Sequence, residues 1–250
     1  MRVGLIGSGN MARALARGWG DPVLCSDSGS GRAAELAREL GGRATSNLEV
    51  AQEADLVVLC HKPYQLHSVA EEIAGQVKAV ASVLGATSQA DLKDAYPAVP
   101  VFRLIPNTPV EVRQGITCYA PSGDADPELE RAVMELFGRV GSVIMLEERL
   151  FGVANSVSGV GPAYQALLAE AQIEAAIRLG LKPALASQLV VETMAGSAAL
   201  LEARDYDTLA VRREVTSPGG STARGLDALE RNGVRAAFQA AIDRVCEVGA

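Results

Sequence analysis

Along residues 1–147 short apolar runs alternate with segments whose apolar positions recur every three to four residues. Arg2–Ile6, Val23–Ser26, Asp55–Cys60, Val80–Leu84 and Val101–Ile105 have strand length, and several are rich in valine. Between them Met11–Trp19, Arg32–Leu40, Leu48–Glu53, Leu66–Val77 and Ala90–Ala95 carry helical spacing. Asp126–Arg139 reads as one more helix, with Pro127 in its first turn, and Ile116–Ala120 and Val143–Leu146 as the last strands. Near-continuous apolar runs belong to strands covered on both faces, so the alternation predicts a parallel sheet between two helical layers.

After Glu147 the strand pattern stops and alanine becomes frequent. Pro162 opens a helix running to Gly180, Pro183 opens another reaching about Glu202, and a last helical stretch, Thr222–Val248, breaks near Gly233. Proline just inside a helix start and glycine just past its end are the expected punctuation. Alanine-rich helices approach one another closely. Leu167, Leu168, Ala171, Ala175 and Ile177 leave more apolar surface than one small helical unit covers. A homodimer made through this half is therefore expected.

Composition narrows the classes of function. With 48% apolar residues the chain can bury a substantial core. A net charge of −7 and the lack of a Lys/Arg run argue against nucleic acid or an anionic membrane surface as the main partner. Uninterrupted apolar stretches such as Leu56–Cys60 fall far short of the ~20 residues that span a bilayer, so no membrane partner and a cytoplasmic location are expected. Cys25, Cys60, Cys118 and Cys246 are scattered and read as small buried hydrophobes. His61 and His67 are the only histidines, so no His-rich metal site is expected, and no serine sits in a nucleophile-elbow sequence. The chain is short of strong acids and bases for catalysis.

Gly7-Ser8-Gly9-Asn10-Met11 follows the first strand and opens the first helix. Gly7 permits a tight turn, Gly9 lets the backbone approach a pyrophosphate, and the N–H groups at the helix start bind the anion. The expected fold class is therefore α/β: an N-terminal Rossmann-type parallel-sheet domain over residues 1–150 and a C-terminal all-helical dimerisation and substrate domain over residues 151–250. Asp27, at the end of the second strand, suits the ribose hydroxyls of NAD(H) and repels a 2′-phosphate. Ser26, Ser28, Ser30 and Arg32 instead suit a phosphate pocket. NADP(H) is the expected preference, with NAD(H) as the alternative. His61-Lys62-Pro63 and Asn107-Thr108 stand at the carboxyl ends of later strands, where ligands of parallel sheets collect. Arg103 is either a site residue or the partner of an acid.

The least ordinary segment is Val215-Thr216-Ser217-Pro218-Gly219-Gly220-Ser221-Thr222, which runs straight into a helix. Bare N–H groups beside hydroxyls make a cradle for a small carboxylate. The plainer alternative is a helix cap supplied by Ser221 or Thr222. Ser158-Gly159-Val160-Gly161-Pro162-Ala163-Tyr164 is a second glycine-rich approach to a helix, which tight helix packing alone also explains.

Taken in order, Gly7-x-Gly9-Asn10-Met11-Ala12, Lys62-Pro63, Pro106-Asn107-Thr108-Pro109, Ser158–Tyr164 and Ser217-Pro218-Gly219-Gly220 closely resemble the pyrroline-5-carboxylate reductases. The resemblance covers nearly the whole chain. It implies reduction of Δ1-pyrroline-5-carboxylate to L-proline with NAD(P)H, the last step of proline biosynthesis. It also implies a Rossmann domain plus a helical dimerisation domain, dimers that assemble further into decamers, and a substrate site drawing on both chains of a dimer. It places Asp205 near the ring nitrogen. His61, Ile105, Val160 and Ser221 depart from the usual residues of the family.

A cyclic imine protonated on nitrogen is already electrophilic, so reducing it needs orientation more than acid–base strength. The expectation assigns the substrate carboxylate to Gly219, Gly220, Ser221 and Thr222, with the Ser217 and Ser221 hydroxyls. Thr222 hydrogen-bonds the ring nitrogen. Two rivals stand beside this reading. A β-hydroxyacid dehydrogenase needs a lysine on a helix of its second domain, yet after Glu147 only Lys182 occurs. A non-catalytic dinucleotide-binding regulator would bind NADPH without turnover.

Overall fold

The computed structural model describes residues 1–123 and 125–248. The chain divides into two compact units, Met1–Pro162 and Ala163–Val248.

The first unit alternates strand and helix. In order come β1 (Val3–Ile6), α1 (Asn10–Trp19), β2 (Leu24–Ser26), α2 (Arg32–Leu40), β3 (Arg43–Ala44), α3 (Asn47–Glu53) and β4 (Leu56–Leu59). They are followed by α4 (Leu66–Ile73), β5 (Val80–Ser82), α5 (Gln89–Ala95), β6 (Val101–Pro106), β7 (Gly115–Ala120), α6 (Pro127–Gly138), β8 (Gly141–Met145) and the single turn α7 (Phe151–Ala154). The eight strands lie in the order β3-β2-β1-β4-β5-β6-β7-β8. The short edge strand β3 has too few residues to show a periodic pattern and went unread in the sequence.

The sheet is parallel-dominant rather than wholly parallel, because β7 runs antiparallel to β6. Only residues 107–114 join them, and these fold into a 3-10 turn at Thr108–Val112 held by Pro109. A parallel return needs a crossover of a dozen or more residues, so this corner forces the reversal. β8 then pairs parallel with β7 after the α6 crossover.

Alternation along β1 sorts two cores. Leu5, Val58, Ala81, Phe102 and Tyr119 face α1, α2 and α6, meeting Leu15, Leu36 and Phe137. Ile6, Val57, Leu59, Val80 and Val101 face α3, α4 and α5, meeting Val50, Ile73 and Leu92. Each large buried side chain contributes roughly 1.5–3 kcal/mol. Trp19 ends α1 by donating its indole N–H to the Leu136 carbonyl at 3.0 Å, with its ring edge-on to Phe137 at 5.7 Å. Ser46 and Ser88 cap α3 and α5 through reciprocal boxes with Glu49 and Asp91.

The remaining elements are helical: α8 (Gly161–Arg178), α9 (Pro183–Glu202), α10 (Thr208–Glu214), α11 (Ser221–Arg231) and α12 (Val234–Val248). Gly233, at φ 76°, makes the break between the last two. α10 was not read from the sequence. Asp207 caps it with 2.9 Å bonds from the N–H groups of Leu209 and Ala210. Within one chain α8 buries no residue and α9 only Ala186. Leu167, Leu179, Leu185, Leu189 and Val191 stand exposed, and an apolar surface of this kind marks a protein-binding face. α9 is also long and apolar enough, at mean hydropathy 1.4, to cross a membrane by length and composition. The count of uninterrupted apolar residues did not register it, because Ser187, Gln188 and Glu192 interrupt the run.

Candidate active site

The loops after β1, β2 and β4 leave the sheet on one side and enclose a cleft of about 230 Å3. Its walls carry Gly7, Ser8, Gly9, Asp27, Ser28, Ser30, Arg32, Asn47, His61, Lys62 and Gln65. Gly7, at φ 93°, passes so close to β4 that an added Cβ would lie 2.6 Å from the His61 nitrogen. Gly9 faces open space and is the N-cap of α1, with no side chain spent on the first helical N–H groups. Unpaired donors at a helix start beside an open backbone fit a pyrophosphate. Lys62 is exposed in the same cleft and makes no ion pair among the described residues.

Several of the expected site residues make hydrogen bonds inside the unit. Ser26 is buried and donates its hydroxyl to Asn47 Oδ1 at 2.6 Å, while Ser8 donates to the Ser26 carbonyl at 2.9 Å. Asn107 is buried too. Its Oδ1 accepts from Ile116 N–H at 2.8 Å and its Nδ2 donates to the Ser158 carbonyl at 3.2 Å, so the amide ties the β6–β7 corner to the 155–159 turn. Thr108 beside it is exposed. Asp27 accepts three hydrogen bonds, two from its own loop and one from the first turn of α2, and Asn10 and Met11 form the first positions of α1. Pro63 opens the 3-10 turn Pro63–Gln65. Of its two uses, Arg103 takes the pairing with an acid. It meets Glu148 and lies 4.6 Å over the Phe151 ring. Asn47 and Gln65 line the cleft and were missed, because in the sequence they read only as helix-start and turn residues.

His61 Nδ1 lies 2.9 Å from the Lys62 carbonyl and therefore carries the proton; Nε2 is buried without a partner among the described residues. Burial pushes the imidazole below its ordinary value against the opposing pull of that carbonyl. Cys60 next to it is pushed up to about 12 by burial, so it is an inert thiol.

The Ser217–Thr222 segment behaves differently from a capped helix. The N-cap of α11 is Gly220, and no side chain caps it. Gly219 turns the chain at φ 71°, Gly220 N–H bonds the Ser217 carbonyl at 3.1 Å, and Arg224 donates to the Gly219 carbonyl at 2.9 Å. The capping alternative for Ser221 and Thr222 is thereby removed, and their hydroxyls have no partner among the described residues. Ser217 and Ser221 are exposed and Thr222 half-buried. Asp205 and Tyr206 both take positive φ, 51° and 61°, in the turn between α9 and α10. Non-glycine residues held this way mark a strained, over-determined turn. Among the described residues no His/Cys/Asp/Glu cluster suits a metal ion.

A strand order reversing beside a glycine turn, with its donors at the carboxyl ends of the strands, is the dinucleotide-binding arrangement of a Rossmann-type fold, and the family match to its first half makes the class a pyridine-nucleotide oxidoreductase. Residues 2–85 match the family described as "NADP oxidoreductase coenzyme F420-dependent", and residues 148–250 match "Pyrroline-5-carboxylate reductase dimerisation". A pyrroline-5-carboxylate reductase of Corynebacterium melassecola is 32% identical over 269 residues, covering 99% of this chain and 98% of that one. Two solved structures align over the full chain. The Plasmodium falciparum pyrroline carboxylate reductase, with NADP bound, has a TM-score of 0.90 at 26% identity and is covered over 97% of its length. The Streptococcus pyogenes 1-pyrroline-5-carboxylate reductase has a TM-score of 0.89 at 28% identity, covered over 98%. The chain belongs to the pyrroline-5-carboxylate reductase family.

Proposed function

We propose that the protein reduces Δ1-pyrroline-5-carboxylate to L-proline with NADPH, as a cytoplasmic enzyme of proline biosynthesis. The observation that carries this is the start of α11: N–H groups and the Ser221 and Thr222 hydroxyls left unspent behind the Ser217–Gly220 turn. An anion the size of one carboxylate fits such a cradle. The Gly219–Thr222 backbone and the Ser217 and Ser221 hydroxyls hold the substrate carboxylate. Thr222 meets the ring nitrogen, with Asp205 contributed near it by the partner chain. Gly7–Met11 hold the pyrophosphate, His61–Pro63 flank the ribose, and the Asn107–Thr108 corner offers its free hydroxyl to the nicotinamide half. When bound, the reduced nicotinamide supplies a hydride. The protonated imine carbon accepts it, and the nitrogen keeps its proton together with the electron pair released from the C=N bond. The chain itself binds, orients and excludes water, which needs no titrating catalyst.

The exposed faces of α8 and α9 are covered by a second copy, which makes the homodimer the basic unit, and dimers assemble further into a decamer. Oxidation of NADPH followed by absorbance in the presence of pyrroline-5-carboxylate, repeated with NADH, tests the function. Turnover of a hydroxyacid with NADP and none of the imine would replace this reading by a β-hydroxyacid dehydrogenase. Binding of NADPH with no turnover of either substrate would leave a regulator.

A further inference from the structure

An acid at the end of β2 has two uses with opposite consequences. Left free, its carboxylate accepts the ribose hydroxyls of NAD(H) and repels a 2′-phosphate. In this chain Asp27 is not left free. Its Oδ1 accepts Gly29 N–H at 2.8 Å, and its Oδ2 accepts the Ser30 hydroxyl at 2.9 Å and Ala33 N–H at 2.8 Å. Ala33 N–H is one of the orphan donors of the first turn of α2, whose N-cap, Gly31, has no side chain to offer. The Ala33 bond, followed by those from the loop, holds the carboxyl below its usual range. With Gly29 and Gly31 at φ 94° and 78°, the segment bends so that Ser28 and Arg32 line the cleft that also holds Gly7 and Gly9. Arg32 is exposed and has no ion pair among the described residues.

We propose that Asp27 is a positioning residue for NADP(H): it latches the Ser28–Arg32 turn into the subsite that receives the nucleotide's 2′-phosphate, and does not itself take the ribose hydroxyls. The inference rests on reading the cleft as a dinucleotide site. The Arg32 guanidinium and the Ser28 hydroxyl supply the donors, whereas the Ser30 hydroxyl is already given to Asp27. Asparagine reproduces only one side of the latch, because its Nδ2 presents hydrogens to the Ala33 N–H.

The two uses predict opposite signs. Binding of NADPH and NADH to the full-length protein is read by nucleotide fluorescence, and binding of adenosine 2′,5′-bisphosphate against 5′-AMP by displacement. Asp27→Asn is expected to lower the preference for the 2′-phosphorylated partner of each pair by about tenfold, as loss of charge-assisted hydrogen bonds should. Arg32→Ala lowers it at least as far, and Ser30→Ala lowers it less but in the same direction. A merely destabilised domain would weaken both members of a pair alike; thermal unfolding of each variant identifies that case, in which Ser30→Ala and Arg32→Ala decide. A preference that rises in Asp27→Asn, or that stays within twofold in Arg32→Ala, overturns the proposal. So does a wild-type protein that binds neither nucleotide. Because every readout is binding, a protein that shows the expected pattern yet fails to reduce the imine removes the reductase and leaves the latch standing.

Discussion

Gly7 and Gly9 stand in one turn, yet a methyl added to each is expected to damage different properties. At Gly7 the backbone has φ 93°, where an L residue is strained by roughly 1–2 kcal/mol. The new Cβ would also lie 2.6 Å from His61 N, 2.7 Å from Cys60 C and 2.8 Å from Cys60 O. These are backbone atoms at the end of β4 and cannot rotate away, so overpacking adds about 1–3 kcal/mol. Gly7→Ala should therefore lose about 2–5 kcal/mol, a fall in Tm on the order of 10 °C for a unit of this size. Gly9 has φ −74°, and nothing lies within 4 Å of its Cβ position. Alanine in place of an N-cap glycine changes stability by under about 1 kcal/mol. Its methyl does occupy the approach to the pyrophosphate, so NADPH Kd should rise at least ~10-fold while Tm holds. Thermal unfolding by circular dichroism and a fluorescence titration with NADPH separate the two outcomes. A Gly9→Ala protein with wild-type Kd would show that no pyrophosphate crosses this turn. A Gly7→Ala protein with wild-type Tm would refute the packing argument.

Thr222→Ala should lower kcat/KM for the imine at least ~10-fold, the loss of one hydrogen bond of ~1.5 kcal/mol, and an unchanged value removes Thr222 from the mechanism. Glu148→Ala strips the acid from Arg103, whose side chain is only 11% exposed, and strips the acceptor from Gln89 N–H. Because Glu148 is itself partly in solvent, we expect a loss of about 2–3 kcal/mol in denaturant unfolding, short of a fully buried pair. Replacing both partners, with Arg103→Met, should recover part of that loss. His61 has a depressed folded value, so its contribution to stability is present above the unfolded value of about 6.5 and is lost as pH falls below it. His61→Val should flatten the dependence of Tm between pH 7 and 5. The depressed carboxylates Asp21, Asp27 and Asp55 lose their contributions only below about pH 4, so that limb should persist in the variant.

Period and punctuation in the chain determined most of the first unit by themselves. Apolar runs at β1, β4 and β6, helical spacing at α1 and α2, and, in the second unit, Pro183 as the first residue of α9 are local signals, because strand and helix differ in repeat and prolines and glycines act where they stand. The glycine turn and the Ser217–Thr222 segment were legible for the same reason: their chemistry is carried by consecutive residues. The tertiary structure decided which polar groups remain free. Asn107 and Ser26 read as ligands in the sequence; folding brings Ile116 and Ser158 to the Asn107 amide and Asn47 to the Ser26 hydroxyl. Asp27 reads as a ribose acceptor in the sequence, and folding adds a partner that the sequence does not show, the Ala33 N–H of α2. Conversely, Ser221 and Thr222 look like caps until Gly220 proves to hold that position. Antiparallel β7 likewise follows from the stiff corner closing on its neighbour. A repeat in the sequence reports the face a residue is on. Partners brought from elsewhere in the chain decide whether its hydrogen-bonding capacity is already used, and only folding brings them.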